Sequence, residues 1–184
     1  MMRRIACLAA VTVMALGTVV VSAGGASAAV TPISEACTAT GTVDVAVTVP
    51  APPGPPRVIG TNRFSYVGSQ AVGLTAYRYW HVSYKNVGDL SWSYLGAHAV
   101  RCSGATITGT YDLTRTNYTV TDARQCTLSE NFERVENFGF PNMRTLYFGY
   151  VGSRTDSADT FRYWGVRTDT GSTLTFAPAA ARCD

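Results

Sequence analysis

One segment of the chain occurs twice, and this duplication constrains the fold more than any other feature. Thr61 to Val82 aligns without a gap with Thr145 to Val166, at a constant offset of 84 residues, and 10 of the 22 aligned positions are identical. The shared strings are Tyr-Val-Gly-Ser and Arg-Tyr-Trp, and both copies end on Arg-Cys, at Arg101-Cys102 and Arg182-Cys183. Such self-similarity indicates two copies of one structural unit.

Around the repeat, apolar and polar residues alternate with the period of two that is typical of strands. Valine occupies every second position over 43–49, and bulky side chains fall on both faces of the run 74–85. Turn residues at Asn86-Val87-Gly88-Asp89 and Asp169-Thr170-Gly171 separate consecutive runs. We therefore predict an all-β protein, an antiparallel β-sandwich or barrel built from two tandem repeated halves.

The chain divides into three predicted segments, a signal peptide over 1–29, a first β repeat over 30–104 and a second over 105–184. The start of the second repeat is placed by Thr108-Gly109-Thr110 with Asp112, which matches Thr40-Gly41-Thr42 with Asp44. A copy of about 70 residues is small for a core of its own, so we expect both halves to pack as one body with approximate twofold symmetry.

The first 29 residues have the organisation of an export signal. A basic start is followed by an apolar run from Ile5 to Val21 and by the small residues Ala26-Ser27-Ala28. The pattern predicts a secreted, extracellular protein of bacterial type.

The rest of the chain is nearly neutral: without Arg3 and Arg4, it has 13 basic and 12 acidic residues. That balance argues against nucleic acid as a partner, and no later apolar run is long enough to span a membrane.

Two connections carry distinct local signals. Five prolines fall within 50–56, which predicts an extended crossing or loop that stiffens the connection between two strands. Over 127–139, apolar residues recur at three- and four-residue steps between a capping-box pattern and a glycine, which predicts one short helix in the second half.

Four cysteines lie after the signal, and an even number in an exported chain indicates disulfides. Four cysteines allow three pairings. Cys102 and Cys183 end equivalent copies, and Cys37 and Cys126 precede them, so the repeat favours Cys37–Cys102 and Cys126–Cys183. A metal site is not expected, because no close Cys-x-x-Cys pair exists.

Catalytic signatures are few. The chain lacks a phosphate-binding glycine loop, a Gly-x-Ser-x-Gly elbow and a His-Glu-x-x-His motif, and we expect no cofactor. His81 and His98 align with Gly165 and Ala179, so the shared scaffold does not require a histidine. Asp44 and Asp112 could face each other as a hydrolytic carboxylate pair, although local hydrogen bonds are the simpler role. Enzymatic activity is uncertain, and we assign no catalytic residue.

Aromatic residues form the strongest candidate site. Trp80 and Trp164, with Arg78 and Arg162 beside them, are interpreted as structural anchors. The opposite strand face and its hairpin partner supply a possible ligand-binding row, consisting of Tyr77, Tyr79, His81, Trp92 and Tyr94. Exposed aromatic rows bind sugars or protein partners. The alternative is that these rings fill the space between two sheets.

The triplets Arg78-Tyr79-Trp80 and Arg162-Tyr163-Trp164 resemble, in a different order, the Trp-Arg-Tyr triplet of small exported α-amylase inhibitors, which are disulfide-bonded β-sandwiches. The cysteine spacing differs from theirs, and no site is carried over.

The leading hypothesis is a secreted, non-catalytic binding protein for a polysaccharide, an envelope component or another protein. The alternatives are an inhibitor that inserts the hairpin 84–91 or 167–172 into a secreted hydrolase, and a small extracellular hydrolase.

Overall fold

A computed structural model describes residues 31–114, 122–139, 141, 143–156 and 159–183. The predicted signal peptide therefore lies outside the described residues. The elements in chain order are β1 (Thr42–Ala51), β2 (Gly54–Val72), β3 (Thr75–Asn86), β4 (Ser93–Ser103), β5 (Thr106–Asp112), α1 (Arg124–Thr127), β6 (Phe132–Asn137), β7 (Met143–Asp156), β8 (Asp159–Asp169) and β9 (Leu174–Cys183).

The strands form two antiparallel sheets in which chain neighbours are also sheet neighbours. The first sheet has the order β1-β2-β3-β4-β5 and the second β6-β7-β8-β9. The repeat is visible in the register, since Phe64 pairs with Val82 in the first sheet and Phe148 with Val166 in the second. The predicted all-β fold of two repeated halves is thus confirmed, with β1 to β4 corresponding to β6 to β9.

Each sheet contains a β-bulge at the same point of the repeat. The register slips by one residue between Tyr66 and Gly68 in the β2–β3 pair, and between Tyr150 and Gly152 in the β7–β8 pair. A bulge bends its strand and increases the local twist. The repeated Tyr-Val-Gly-Ser string is therefore the sequence of a bulge.

The two sheets pack face to face on a shared core. Its buried residues come from both halves: Tyr77, Tyr79, Ala97, Ala99, Leu113, Phe161 and Tyr163. The Tyr79 and Tyr163 rings meet edge to face with their centroids 6.4 Å apart, and the Tyr79 hydroxyl donates to the carbonyl of Trp164 at 3.3 Å. Equivalent strands thus contribute equivalent tyrosines to one interface.

The outer face of each sheet has its own core under a segment that is tied down by a disulfide. Trp80 packs beneath the segment 33–39, and Trp164 packs near Leu128 and Phe132. The predicted bridges are both present, Cys37–Cys102 with an S–S distance of 2.04 Å and Cys126–Cys183 with 1.94 Å. Closing loops of 65 and 57 residues is worth about 4 kcal/mol each on the chain-entropy model.

One short helix is present in the second half, as predicted, but its predicted position was wrong. Helix α1 covers Arg124–Thr127, and Phe132–Asn137, within the predicted region 127–139, is strand β6. Tertiary pairing of β6 with β7 overrides the apolar spacing, and Phe138 is left exposed. The proline-rich run connects two strands, as predicted: it makes the β1–β2 hairpin, with a cis Pro52-Pro53 bond at the turn.

The expected boundary between the repeats also differs from the division of the sheets. Strand β5 begins at Thr106 but pairs with β4, so the first sheet extends to Asp112. The counterpart of β1 is β6, since Asp44 pairs with Arg63 as Glu133 pairs with Tyr147. The resemblance between the two Thr-Gly-Thr strings is therefore not a structural equivalence.

Candidate functional site

The two bulges touch each other where the halves meet. The backbone of Gly68 lies against Val151, and that of Gly152 lies against Val67, so a Cβ at Gly68 would sit 2.7 Å from the Val151 carbonyl oxygen. Each of these contacts becomes the other when the two copies are interchanged, as a pseudo-twofold axis between the halves requires. The glycine of each bulge allows the other valine to approach this closely.

Beyond the bulges, each strand β2 and β7 continues over the opposite sheet. Gln70 reaches the second sheet and packs on Gly149 and Gly165. Arg154, its repeat equivalent, reaches the first sheet and donates to the carbonyl of Tyr66 at 2.5 Å. The two overhanging hairpins therefore create two related spaces, one above each sheet.

The space above the second sheet is a cavity of about 610 Å³. Its lining comes from the β2–β3 hairpin, the β6–β7 pair and the β8–β9 pair: Gln70, Ala71, Val72, Gly73, Asn131, Phe132, Glu133, Tyr147, Phe148, Gly149, Arg167, Leu174 and Phe176. This volume lies within the range of about 300–1,000 Å³ that small-molecule sites occupy.

Part of the cavity floor is bare backbone. Gly149 lines the cavity, and its direct partner across β7 and β8 is the buried Gly165; a Cβ on either would overlap the Gln70 amide. The Gln70 Oε1 atom is buried and has no hydrogen-bond partner within the described residues. Burying an amide oxygen without a partner is costly, so a donor that reaches this atom would relieve the cost.

The walls of the cavity combine aromatic rings with polar side-chain groups. The Arg167 guanidinium lies 4.5 Å from the centre of the Tyr147 ring, and Phe176 is held against Tyr77 with their centroids 4.3 Å apart. The carbonyl of the Asn131 side chain accepts from the Tyr150 backbone N–H at 2.8 Å, which fixes the amide.

The related space above the first sheet is filled by side chains. Ser65 and His81 stand where the second sheet has Gly149 and Gly165, and they are direct partners across β2 and β3. Asp156, from the overhanging hairpin of the second half, accepts from Ser83 Oγ at 2.7 Å and lies 3.3 Å from His81 Nε2. One of two equivalent places is filled by an imidazole and a carboxylate, and the other holds the Gln70 amide with the cavity beside it.

The filled space is a structural polar cluster. His81 Nδ1 lies 2.7 Å from the Tyr163 hydroxyl, so the neutral ring with hydrogen on Nε2 accepts from Tyr163 and donates to Asp156. Burial lowers the pKa of His81, against the opposing effect of Asp156. Ser83 donates to Asp156 and not to the imidazole, so the histidine is not placed to remove its proton, as a serine triad requires.

The predicted aromatic row is largely inside the protein. Tyr77, Tyr79 and His81 are 6%, 0% and 3% exposed, so this strand face is buried. The second sheet covers it, which is the alternative left open by the sequence. Burial raises the pKa of Tyr79, as expected for a phenol between two sheets.

Trp92 and Tyr94 are partly buried at the end of the row. Trp92 has the Arg63 guanidinium 3.9 Å and the Lys85 ammonium 5.0 Å from its ring centre. Tyr94 stacks on Phe161 at 4.1 Å, and burial raises its pKa to about 12. A ligand-binding role for these two residues stays a prediction.

The four residues interpreted as anchors lie on the outer faces. Trp80 and Trp164 are fully buried. Arg78 donates to the carbonyl oxygens of Ala36 and Ala39, and Arg162 donates to the carbonyl of Leu128 at 2.7 Å. Each arginine thereby holds the segment that covers its tryptophan. Because Tyr79 and Trp80 are buried, the triplet is not presented to a partner as it is in the amylase inhibitors.

Asp44 and Asp112 do not meet. They lie on β1 and β5, the two edges of the first sheet, four strand spacings or about 19 Å apart. Asp44 accepts from Arg63 at 2.8 and 2.7 Å, which lowers its pKa, and Asp112 accepts from the Thr114 N–H at 2.9 Å. Among the described residues, no group of three acidic, histidine or cysteine side chains is placed to hold a metal ion.

Sequence reasoning missed the cavity, although one signal was present. Within the otherwise similar repeats, Ser65 and His81 are replaced by Gly149 and Gly165 at directly paired positions. The second copy therefore has no side chains at two neighbouring positions of its sheet. The sequence does not show that these positions are partners, or that Gln70 from the other half lies above them.

No protein-family model matches this chain, and neither the curated proteins nor the solved structures include one that is significantly similar. In the part of the chain described above, no helix combines the length and apolar character needed to cross a bilayer.

Proposed function

We propose that this chain is a secreted, disulfide-stabilised, non-catalytic binding protein whose ligand occupies the cavity above the second sheet. The observation that carries the proposal is the difference between the two halves. The same place holds His81 and Asp156 in one half and the Gln70 amide over Gly149 and Gly165 in the other, where a cavity remains beside the amide. A duplicated scaffold does not need this difference for stability, since an open cavity forgoes packing contacts.

Rigidity supports a binding role. Two disulfides and a shared core fix the hairpin that carries Gln70 over the second sheet. A site that is already formed loses less conformational entropy when the ligand binds. Disulfides persist in oxidising compartments, which agrees with the proposed secretion.

The cavity lacks the groups that catalysis needs. Among the described residues that line it, the ionisable side chains are Glu133, Tyr147 and Arg167, with no histidine, cysteine or second carboxylate. Hydrolysis of a glycosidic bond ordinarily uses two carboxylates, and acyl transfer uses an activated nucleophile. Binding without turnover is the activity that this set of side chains supports.

The proposal is tested by mapping ligand contacts on the disulfide-intact protein. Uniformly ¹⁵N-labelled protein is titrated with a library of small molecules and short glycans, and amide shifts are followed by NMR. We expect the perturbed amides to cluster at Gly149, Gly165 and the hairpin around Gly73. Perturbations confined to the first half, or none with any ligand, would contradict the proposal.

One observation favours the second candidate, an inhibitor of a secreted hydrolase. Within the turn between β3 and β4, Val87 and Leu90 are 67% and 100% exposed. The turn is held by Asn86, whose backbone N–H and side-chain amide both donate to Asp89, at 3.3 and 2.9 Å. An inhibitor needs such a rigid, exposed apolar tip. Inhibition of an amylase or protease that is lost in Leu90→Ser would support this role, with Val58→Ser, at another exposed apolar residue, as the matched control.

A further inference from the structure

From the chemistry of the cavity we infer that its ligand is an uncharged oligosaccharide, and that the Gln70 side-chain amide is a direct ligand contact. This inference rests on the proposed binding function and narrows it to one class of ligand. It is carried by three features of the cavity: its charge balance, its mixture of ring faces and planar polar groups, and the buried amide oxygen above its floor.

The charge balance excludes strongly charged ligands. Glu133 and Arg167 are the charged residues of the lining, and they have opposite signs. A phosphate, sulfate or uronic acid needs a surplus of donors with positive charge, and a cation needs a surplus of carboxylates. The cavity offers neither, so a neutral ligand fits it best.

The lining also excludes a purely apolar ligand. Filling the cavity with a lipid chain would remove Gln70, Glu133 and Arg167 from water without giving them partners. Each unpaired polar group costs about 1–3 kcal/mol, and charged groups cost more. The ligand must therefore bring its own donors and acceptors.

A sugar ring supplies the complementary chemistry. It has a face of C–H groups that packs on an aromatic ring, and a rim of hydroxyl groups that each donate once and accept twice. Tyr147 and Phe176 provide rings on the walls, while Glu133 and Arg167 provide an acceptor and a set of donors. The planar amide of Gln70 can serve two neighbouring hydroxyls at once.

Gln70 has the most specific place in this arrangement. Its Oε1 atom is buried with no partner among the described residues, directly over the two paired glycines. A hydroxyl of the ligand would satisfy it. The equivalent residue of the other half, Arg154, instead donates to a backbone carbonyl. The unsatisfied amide is thus the one that lies over the second sheet, where the cavity is.

The test is calorimetric titration of the intact protein with neutral glucans, mannans and N-acetylated chitin oligosaccharides, alongside sulfated and uronic-acid oligosaccharides. We expect at least one neutral series to bind and the acidic series not to bind. Gln70→Leu should weaken binding by about tenfold, the value of one to two hydrogen bonds. Arg167→Met should weaken it as well, whereas its control Arg57→Met, on the exposed β1–β2 hairpin, should not.

A second variant separates loss of the amide contact from loss of the fold. In Gly149→Ala the new methyl group meets only the flexible end of Gln70, so the amide must move while the sheet remains. Near-UV circular dichroism should be unchanged and saccharide binding reduced. Retained affinity in both Gln70→Leu and Gly149→Ala would overturn the role of Gln70.

The outcomes also separate this inference from the proposed function. If acidic glycans or non-sugar compounds bind in the cavity and neutral saccharides do not, the ligand class is wrong and the binding function survives. If neither class perturbs the amides of Gly149 and Gly165, both proposals fail.

Discussion

At the scale of single residues, the two halves differ in the side chains that their copies of the repeat do not share, and His98 is one of these. His98 is 2% exposed, and neither ring nitrogen has a partner among the described residues. Its equivalent is Ala179, because His98 pairs with Trp80 as Ala179 pairs with Trp164. A buried, unpaired imidazole is neutral, and burial lowers its pKa to about 4 even though the charge of Asp112 opposes the shift.

His98 should make stability depend on pH. Its folded pKa lies below the unfolded value of about 6.5, so the unfolded chain takes up the proton first as the pH falls. Stability is then full above about pH 6.5 and decreases toward pH 4, by at most about 3 kcal/mol. Urea unfolding at pH 7 and pH 4.5 should show a smaller difference in His98→Ala than in the parent. An equal difference would mean that His98 does not cause it.

Gly68 allows the bulges to meet, and replacing it should destabilise the interface. In Gly68→Ala the new Cβ would lie 2.7 Å from the backbone carbonyl of Val151, which cannot rotate away. We expect a loss of about 1–3 kcal/mol, the usual cost of overpacking. Gly109→Ala is the matched control, since its Cβ would make only an ordinary contact of 3.5 Å with Arg101. Equal urea midpoints for the two variants would contradict this account.

At the scale of elements, the sequence predicted the strands, the hairpin turns and the disulfides, which follow from alternation, turn residues and the repeat. It missed what depends on partners that are distant in the chain. The position of the helix over 127–139 was wrong because pairing with β7 overrides the three- and four-residue spacing of its apolar residues. Whether Tyr79 is exposed or buried stayed open in the sequence because nothing local shows that Tyr163 covers it.

Strand β9 is an edge that is protected by a proline. In the first sheet, Ala97 directs its N–H outward to Thr114 Oγ at 2.9 Å. Pro178 occupies the equivalent position, since it pairs with Gly165 as Ala97 pairs with His81. Among the described strands none pairs with the outer edge of β9, and proline removes a donor there, which discourages association with another chain.

The element-scale prediction concerns this edge. Pro178→Ala restores an outward N–H and leaves the pairing of β9 with β8 intact, so self-association should increase with protein concentration. Sedimentation velocity over a hundredfold concentration range measures it. Pro56→Ala, at the exposed β1–β2 hairpin, should behave as the parent does. Identical sedimentation of Pro178→Ala and the parent would remove the proposed role of the proline.

At the scale of the whole molecule, the two sheets are one folding unit because neither buries its inner face alone. Phe161 stacks on Tyr94 of the other half, and Tyr163 contacts both Tyr79 and His81. Separating the halves would expose these rings to water, at about 25 cal/mol per Å² of apolar surface. The overhang that carries Gln70 would also lose the sheet beneath it. The cavity therefore exists only in the assembled pair.

This unity can be tested by removing one disulfide. In Cys126→Ala combined with Cys183→Ala, the loop of 57 residues is released, which should cost about 4 kcal/mol. If the halves fold as one unit, the variant still unfolds in a single transition at lower urea, and tryptophan fluorescence and backbone circular dichroism coincide. Hydrogen exchange should then accelerate in β3 as much as in β8, although β3 lies in the half whose bridge is intact. Faster exchange in β6 to β9 alone, with β1 to β5 still protected, would show that the shared core does not couple the halves.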